Sequence, residues 1–155
     1  MTAESLTEPA VRLALVAAGV FFLSGLLTGV WKYGHIATST RAAAPAYVDI
    51  AHRASLMYSF AALLLAVFAS LSAWSNAVDL WSVALPLLFF AVAIVGYVVH
   101  GLLRDTDNQF RRPQTIGPLA LPRHGLLLLM VALTVAEIGG FVVLFAGVLR
   151  RLELL

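Results

Sequence analysis

Four long apolar runs dominate this sequence, and they constrain its fold more than any other feature. They cover about residues 11–31, 49–71, 78–103 and 122–149 of a chain of 155 residues. Each run reaches the ~20 residues that a helix needs to cross the ~30 Å hydrocarbon core of a bilayer. Such segments must be helical, because lipid offers no water to satisfy open backbone groups. The sequence therefore predicts an all-α, four-helix transmembrane bundle that forms one domain over residues 1–155.

The composition supports a membrane protein and excludes several other classes. Hydrophobic residues make up 61% of the chain and charged residues 12%, whereas soluble domains have about 45–50% and about 25%. Cysteine is absent, which excludes disulfides, thiolate catalysis and iron–sulfur clusters. The formal net charge is only +2, and no basic run with interleaved aromatic residues is present, so we expect no nucleic-acid partner. The first run ends in GVWKYGH, and we expect a retained helix rather than a cleaved signal peptide.

Basic residues are distributed unevenly between the two ends of the predicted bundle. Seven Lys and Arg residues lie near the two longer loops, 32–48 and 104–121, and three lie near the termini and the short 72–77 connection. By the positive-inside rule, the two loops are cytoplasmic and both termini lie outside, in a bacterial-type inner membrane. The polar segment after the third helix is rich in proline, which favours a folded cytoplasmic cap over a flexible linker.

Four histidines gather at this predicted cytoplasmic end, and His52 is the best placed of them to bind a metal. On a helix it shares a face with Ser55 and Ser59, so we expect a histidine above a groove of small residues that suits a flat cofactor. Asp49 lies one turn earlier. It is expected either to hold the second ring nitrogen of His52 or to cap the helix and pair with Arg53. A zinc site is disfavoured, because no HExxH or Cys/His spacing is present.

Helices 3 and 4 carry further polar candidates. Tyr97 and Arg104 share a stripe of helix 3, and an arginine at the membrane surface pairs with a cofactor carboxylate or with a lipid phosphate. Glu137 lies near the middle of helix 4, where a charge costs at least ~2.5–3.5 kcal/mol on insertion scales. We expect a structural role for it, in a hydrogen bond to a neighbour such as Ser24 or Thr28.

Glycine and proline indicate where helices approach one another. Gly25 and Gly29 form a GxxxG motif in helix 1, which predicts close packing either inside one bundle or between copies of the chain. Pro86 lies inside helix 3 and predicts a kink.

Three segments of the chain resemble a known family. They are GLLTGVWKYG at 25–34, AHRASLMYSFAALLLAVF at 51–68 and GLLRDTDNQFRRPQ at 101–114. With Ala51 and His52 opening helix 2, and a polar loop bearing Asn and Pro between helices 3 and 4, the chain resembles the styrene oxide isomerases and the related hydroxylaminobenzene mutases. The resemblance implies a homotrimer with haem b at the subunit interfaces and a small hydrophobic substrate.

The resemblance also implies a reaction and site residues. His52 matches the axial iron ligand, and ferric iron acts as a Lewis acid that rearranges a small apolar aryl epoxide to a carbonyl compound. Tyr58 stands where the family has an asparagine, and a phenol can donate to an epoxide oxygen. Tyr97 lies a turn before the place of the family's pocket tyrosine. Together with the faces described above, this gives catalytic candidates Tyr58 and Tyr97 and cofactor-binding candidates His52, Ser55, Ser59 and Arg104.

Two other functions stay open on the sequence alone. A membrane cytochrome b for electron transfer needs two axial histidines, and His52 with His100 or His124 supplies such a pair. A cofactor-free structural or lipid-binding membrane protein would use the arginines of the 104–122 segment at the lipid headgroups. An absorption spectrum distinguishes the three functions.

Overall fold

The computed structural model describes residues 5–155 and contains four long helices joined by short connections. The helices are α1 Pro9–Thr38, α2 Ala46–Leu71, α3 Asn76–Leu103 and α4 Gly125–Arg151. A 3-10 turn, Ser5–Thr7, precedes α1, and a two-stranded antiparallel hairpin of β1 Thr115–Ile116 and β2 Leu119–Ala120 lies between α3 and α4. All four helices are long and apolar enough to cross a membrane. The predicted all-α, four-helix bundle is confirmed.

The helix ends differ from the sequence-based bounds mainly in α1. This helix continues past residue 31 to Thr38, so His35, which was expected in a loop, lies in its last turn. The added segment is more polar than the apolar run, but no proline interrupts it, and the helix continues beyond the stretch that hydropathy identifies. At the other end of the bundle, α4 begins at Gly125 rather than at 122, directly after Pro122 and two further residues that are not helical.

The GxxxG motif joins α1 to α2 inside one bundle. A Cβ atom added at Gly25 would lie 2.6 Å from the side chain of Leu56, and one added at Gly29 would lie 2.9 Å from the ring of His52. Only glycine leaves room for this approach of the two helices. The alternative that the sequence left open, a contact between copies through these glycines, is not needed to explain them.

A proline and a glycine join α3 to α4. Pro86 has no N–H group, so the carbonyl of Ser82 loses its partner within the helix, although α3 continues as one helix across this position. Gly140 of α4 approaches that same carbonyl. A Cβ atom added at Gly140 would lie 2.5 Å from the Ser82 oxygen and 2.6 Å from the Pro86 ring. The main chain of α4 therefore covers the carbonyl that the proline leaves open.

The hydrophobic core lies where the four helices meet, but α4 contributes less to it than the others. Of the most apolar stretch of α4, 11% is buried, against 33% for α2 and for α3. Two hydrogen bonds fasten α4 at its far end: the Ala73 N–H donates to the Gly147 carbonyl at 3.1 Å and the Trp74 Nε1–H to the Val143 carbonyl at 2.8 Å. Most of the α4 surface is thus left for lipid or for a partner.

Candidate functional site

His52 lies in the seam between α1 and α2 and makes a hydrogen bond to the main chain. Its Nδ1 atom is 2.8 Å from the carbonyl oxygen of Gly25. A carbonyl oxygen only accepts, so Nδ1 carries the proton, and Nε2 of the neutral ring keeps a free lone pair. Among residues 5–155, no hydrogen-bond partner reaches Nε2. The ring is half-buried against Gly29, and its Nε2 atom has no hydrogen-bond partner in the described part of the chain.

Asp49 does not hold His52. Its two carboxylate oxygens bind Lys32 at 2.6 Å and Arg53 at 2.7 Å. The predicted contact between Asp49 and the second ring nitrogen is therefore wrong, and the alternative i,i+4 pair with Arg53 is confirmed. The capping role predicted for Asp49 is wrong as well, because Pro45 is the N-cap of α2 and no side chain caps the helix. Two features explain the outcome: the glycines bring the Gly25 carbonyl within reach of His52, and the extra turns of α1 bring Lys32 to Asp49.

The face of α2 that carries Ser55 and Ser59 is closed. Ser55 is fully buried and Ser59 is 3% exposed. The Ser59 hydroxyl donates to the carbonyl of Leu56 at 2.6 Å, and Leu56 in turn packs against Gly25. The open groove of small residues is therefore wrong, because α1 and the bundle interior fill that space. A cofactor role for the two serines stays a prediction.

The outer side of the α1–α2 seam is apolar and exposed. Phe22 precedes Gly29 by seven residues, and Leu63 follows His52 by eleven, so each shares a helix face with its partner in the seam. Both side chains are exposed, as is the neighbouring Phe60. In a membrane, a surface of this kind contacts lipid, an apolar cofactor or a second copy of the chain.

Tyr58 and Tyr97 lie together inside the bundle, but not beside His52. The ring of Tyr58 stacks on Phe90 with centroids 4.3 Å apart. The hydroxyls of the two tyrosines interact, and the carboxyl of Glu137 is close enough to act electrostatically on both. Tyr58 follows His52 by six residues, so the two side chains leave α2 in directions that differ by about a third of a turn. The structure therefore joins the two predicted catalytic residues into one cluster and separates them from the predicted metal ligand.

Glu137 does not use the partners that were expected for it. The hydroxyls of Ser24 and Thr28 donate to carbonyls of their own helix, at 2.9 Å and 2.7 Å, so that prediction is wrong. Within the described part of the chain, the Oε1 atom of Glu137 is buried without a hydrogen-bond partner. Serine and threonine in helices commonly bond to the preceding turn, and this removes them as donors to other groups.

At the C-terminal end of α3, residues 104–124 fold into a cap, as the sequence predicts. His100 is buried and its Nδ1 lies 2.8 Å from Oδ1 of Asp105, while Oδ2 of Asp105 accepts the N–H of Gly117 at 2.6 Å. Burial works to raise the pKa of Asp105, but the hydrogen bonds from Gly117 and His100 outweigh it and lower this pKa below its usual value. Asp105 thus fastens the hairpin to the end of α3.

Tyr47 fastens the cap to α2. Its hydroxyl accepts the N–H of Gln109 at 2.6 Å, and its ring packs on that of His100 with centroids 5.0 Å apart. A cavity of about 450 Å³ lies beneath the cap, and Arg104 is among the residues that line it. Arg104 reaches the ring of His35 at 3.5 Å, and its predicted pairing with a cofactor carboxylate stays a prediction. Sequence reasoning did not identify this cavity, although Asp105 five residues after His100 was the available signal.

Comparison with protein-family models, with curated proteins and with solved structures gives no match for this chain. Over residues 5–155, no three His, Cys, Asp or Glu side chains are grouped so that they could share one metal ion.

Proposed function

We propose that this chain is a membrane protein that binds haem b through Nε2 of His52 and rearranges small apolar epoxides, aryl epoxides among them, to carbonyl compounds. One observation carries the proposal: the Nδ1–H group of His52 donates to the main-chain carbonyl of Gly25 at 2.8 Å. Histidines that bind metals almost always donate their other ring N–H to a carbonyl or carboxylate, which fixes the tautomer and the ring orientation. His52 has this arrangement.

The residues around His52 fit an apolar macrocycle with carboxylate substituents. The exposed side chains of Phe22, Phe60 and Leu63 offer it an apolar surface. Arg53 is next to His52 in the chain, and its side chain is 65% exposed. It pairs with Asp49 at 2.7 Å, and Asp49 also binds Lys32, so this group of three side chains keeps a net positive charge near the membrane surface, where carboxylates would lie. In the proposed homotrimer, a neighbouring copy covers the rest of this surface.

The chain's own residues would hold and orient the reactants. When bound, haem b supplies a Lewis-acidic ferric iron that polarises an epoxide oxygen. His52 provides one ligand, Gly25 fixes the orientation of its ring, and the apolar seam binds a hydrophobic substrate and excludes water. Tyr58 and Tyr97 lie in the bundle interior, apart from His52, so a catalytic role for them stays a prediction that Tyr→Phe variants of each would test.

The first test is the absorption spectrum of the purified protein. We expect a Soret band in the wild type, its loss in His52→Ala, and its retention in His35→Ala. His35 is the matched control because it lies at the same end of the bundle, in the last turn of α1, and none of the candidate haem sites uses it. A band that survives His52→Ala would refute the ligand assignment. A wild type that stays colourless after haem is supplied during expression would leave a cofactor-free membrane protein.

The spin state then separates the isomerase from a membrane cytochrome b. One feature favours keeping the cytochrome as a second candidate: the Nδ1 of His100 is held by Asp105 much as that of His52 is held by Gly25. A five-coordinate, high-spin haem agrees with a single ligand and an open position for substrate. A six-coordinate, low-spin spectrum that also changes in His100→Ala would assign electron transfer. Conversion of styrene oxide to an aldehyde by the wild type, but not by His52→Ala, tests the reaction itself.

We also propose that the cap faces the cytoplasm of a bacterial-type inner membrane and that both termini lie outside. The support is the excess of Lys and Arg at the capped end, where seven of the ten basic residues lie.

A further inference from the structure

The cavity beneath the cap is separate from His52 and has the composition of an anion site. It measures about 450 Å³ and lies between the first turn of α2, the last turn of α3 and the cap. Polar and charged side chains make up much of its wall, among them Tyr47, His100, Arg104, Asn108, Arg112 and Thr115. Amide and hydroxyl donors thus stand beside guanidinium groups in one open cavity, whose wall also includes the carboxylates of Asp105 and Asp107.

Positive charge in this cavity is only partly neutralised. Arg111 pairs with Asp107 at 3.1 Å. Both oxygens of Asp105 are already hydrogen-bonded to groups that fasten the cap. Within residues 5–155, neither Arg104 nor Arg112 has a carboxylate within ion-pair distance. Two guanidinium groups on the cavity wall therefore lack a carboxylate partner, and the contact of Arg104 with the ring of His35, at 3.5 Å, does not neutralise its charge.

The backbone fixes Arg104 at the rim of the cavity. It is the C-cap of α3 and adopts a left-handed conformation with φ of 52°, and its N–H donates to the carbonyl of His100 at 2.8 Å. Glycine is the usual residue in this conformation, because it has no Cβ to clash with the main chain. Here an arginine adopts it, at the point where a spanning helix meets the membrane surface.

We propose that this cavity binds a phosphate group, carried either by an anionic lipid headgroup or by a free phosphate compound. Guanidinium groups form paired, charge-assisted hydrogen bonds to phosphate oxygens, and a neutral amide or hydroxyl beside them adds further donors. The cavity lies at the end of the spanning helices, at the level where lipid headgroups are found. The inference does not depend on haem binding, because His52 does not line this cavity.

The test uses the full chain and two phosphate sources. Thermal unfolding in detergent is followed with and without inorganic phosphate, and native mass spectrometry measures retention of phosphatidylglycerol against phosphatidylcholine. Loss of a charged hydrogen bond weakens binding about tenfold or more, which is the effect we expect for Arg104→Gln and for Arg112→Gln. Arg41→Gln is the matched control, because it removes one exposed positive charge from the same end of the bundle, outside the cavity.

The outcomes separate the sources and can refute the site. Selective retention of phosphatidylglycerol without an effect of inorganic phosphate assigns a lipid headgroup. Stabilisation by inorganic phosphate without a lipid preference assigns a free phosphate compound. If neither binds, or if Arg41→Gln weakens binding as much as Arg112→Gln, the specific anion site is refuted. The absorption spectrum of the same samples is recorded as well, so that a failure of phosphate binding can be distinguished from a failure of haem binding.

Discussion

At the scale of single residues, the orientation of His52 depends on the absence of a side chain at Gly29. A Cβ atom there would lie 2.9 Å from Cε1 of His52, closer than real contacts allow. We expect Gly29→Ala to displace the ring, lengthen its hydrogen bond to Gly25, and destabilise the protein by about 1–3 kcal/mol. Chemical unfolding in detergent measures the effect.

The control is Gly34→Ala in the same helix. A Cβ atom at Gly34 meets nothing within 4 Å, and alanine has the better helix propensity by up to ~1 kcal/mol. We therefore expect this variant to be unchanged or slightly more stable. Equal destabilisation by the two variants would show that the contact with His52 does not matter.

The sequence identified His52 as a candidate metal ligand, but it did not identify the group that orients its ring. Its residue type, its place at the start of a spanning helix and its neighbours pointed to a ligand. The acceptor is a main-chain carbonyl of another helix, and no side-chain pattern encodes such a contact. Asp49 was an equally reasonable partner until Lys32 and Arg53 were found on its oxygens. The prediction for Glu137 was wrong for a related reason, because the hydroxyls of Ser24 and Thr28 donate to carbonyls of their own helix.

At the scale of the elements, two adjacent glycines of α4 test how α3 and α4 meet. Gly140 lies against the Ser82 carbonyl and the Pro86 ring, whereas a Cβ atom at Gly139 meets nothing within 4 Å. We expect Gly140→Ala to force the helices apart and to destabilise the protein by about 1–3 kcal/mol, and Gly139→Ala to have little effect. Thermal unfolding of the two variants decides this. Indistinguishable melting temperatures would contradict the packing.

The cap provides a prediction about pH. The folded-state pKa of Asp105 lies below its usual value of 3.8, so its hydrogen bonds stabilise the fold fully above about pH 5 and are lost as the pH falls through that range and below. Asp105→Asn should cost about 1–3 kcal/mol at neutral pH and should flatten the loss of stability in acid.

Unfolding at about pH 3, below the usual carboxyl pKa, and at pH 7 measures both effects of Asp105→Asn. Asp107→Asn is the control, because that carboxylate is 67% exposed and pairs only with the equally exposed Arg111. Exposed pairs contribute little to stability, so we expect this variant to follow the wild type. A wild-type pH dependence in Asp105→Asn would show that another group is responsible.

Hydropathy and length predicted the four helices, but not where α1 ends or how the cap folds. The seven residues after Trp31 include Lys32 and His35, whose polarity suggested a loop, whereas nothing in them prevents a helix from continuing. The cap depends on contacts of Asp105 with Gly117 and of Tyr47 with Gln109. These two contacts join residues that are 12 and 62 positions apart in the sequence, and local sequence patterns do not predict contacts between residues so far apart.

At the scale of the whole molecule, the asymmetric distribution of charge predicts the orientation in the membrane. Because the chain contains no cysteine, a single introduced thiol gives a clean label. We expect Ser75→Cys, in the short connection between α2 and α3, to react with an impermeant maleimide added to intact cells. Thr40→Cys, in the connection before α2, should react only after the membrane is opened. The reverse pattern would place the cap outside.

The close contact between α1 and α2 limits which substitutions the protein can accept during evolution. The group that orients His52 is part of the backbone, so no replacement at position 25 deletes the acceptor itself. Mutation can alter the ring's orientation only by changing the distance between two helices. In homologous chains that keep this histidine, the residues allowed at positions 25 and 29 are therefore limited by the volume of their side chains. A bulky residue at either position would indicate a chain in which the ring has another hydrogen-bond partner or another function.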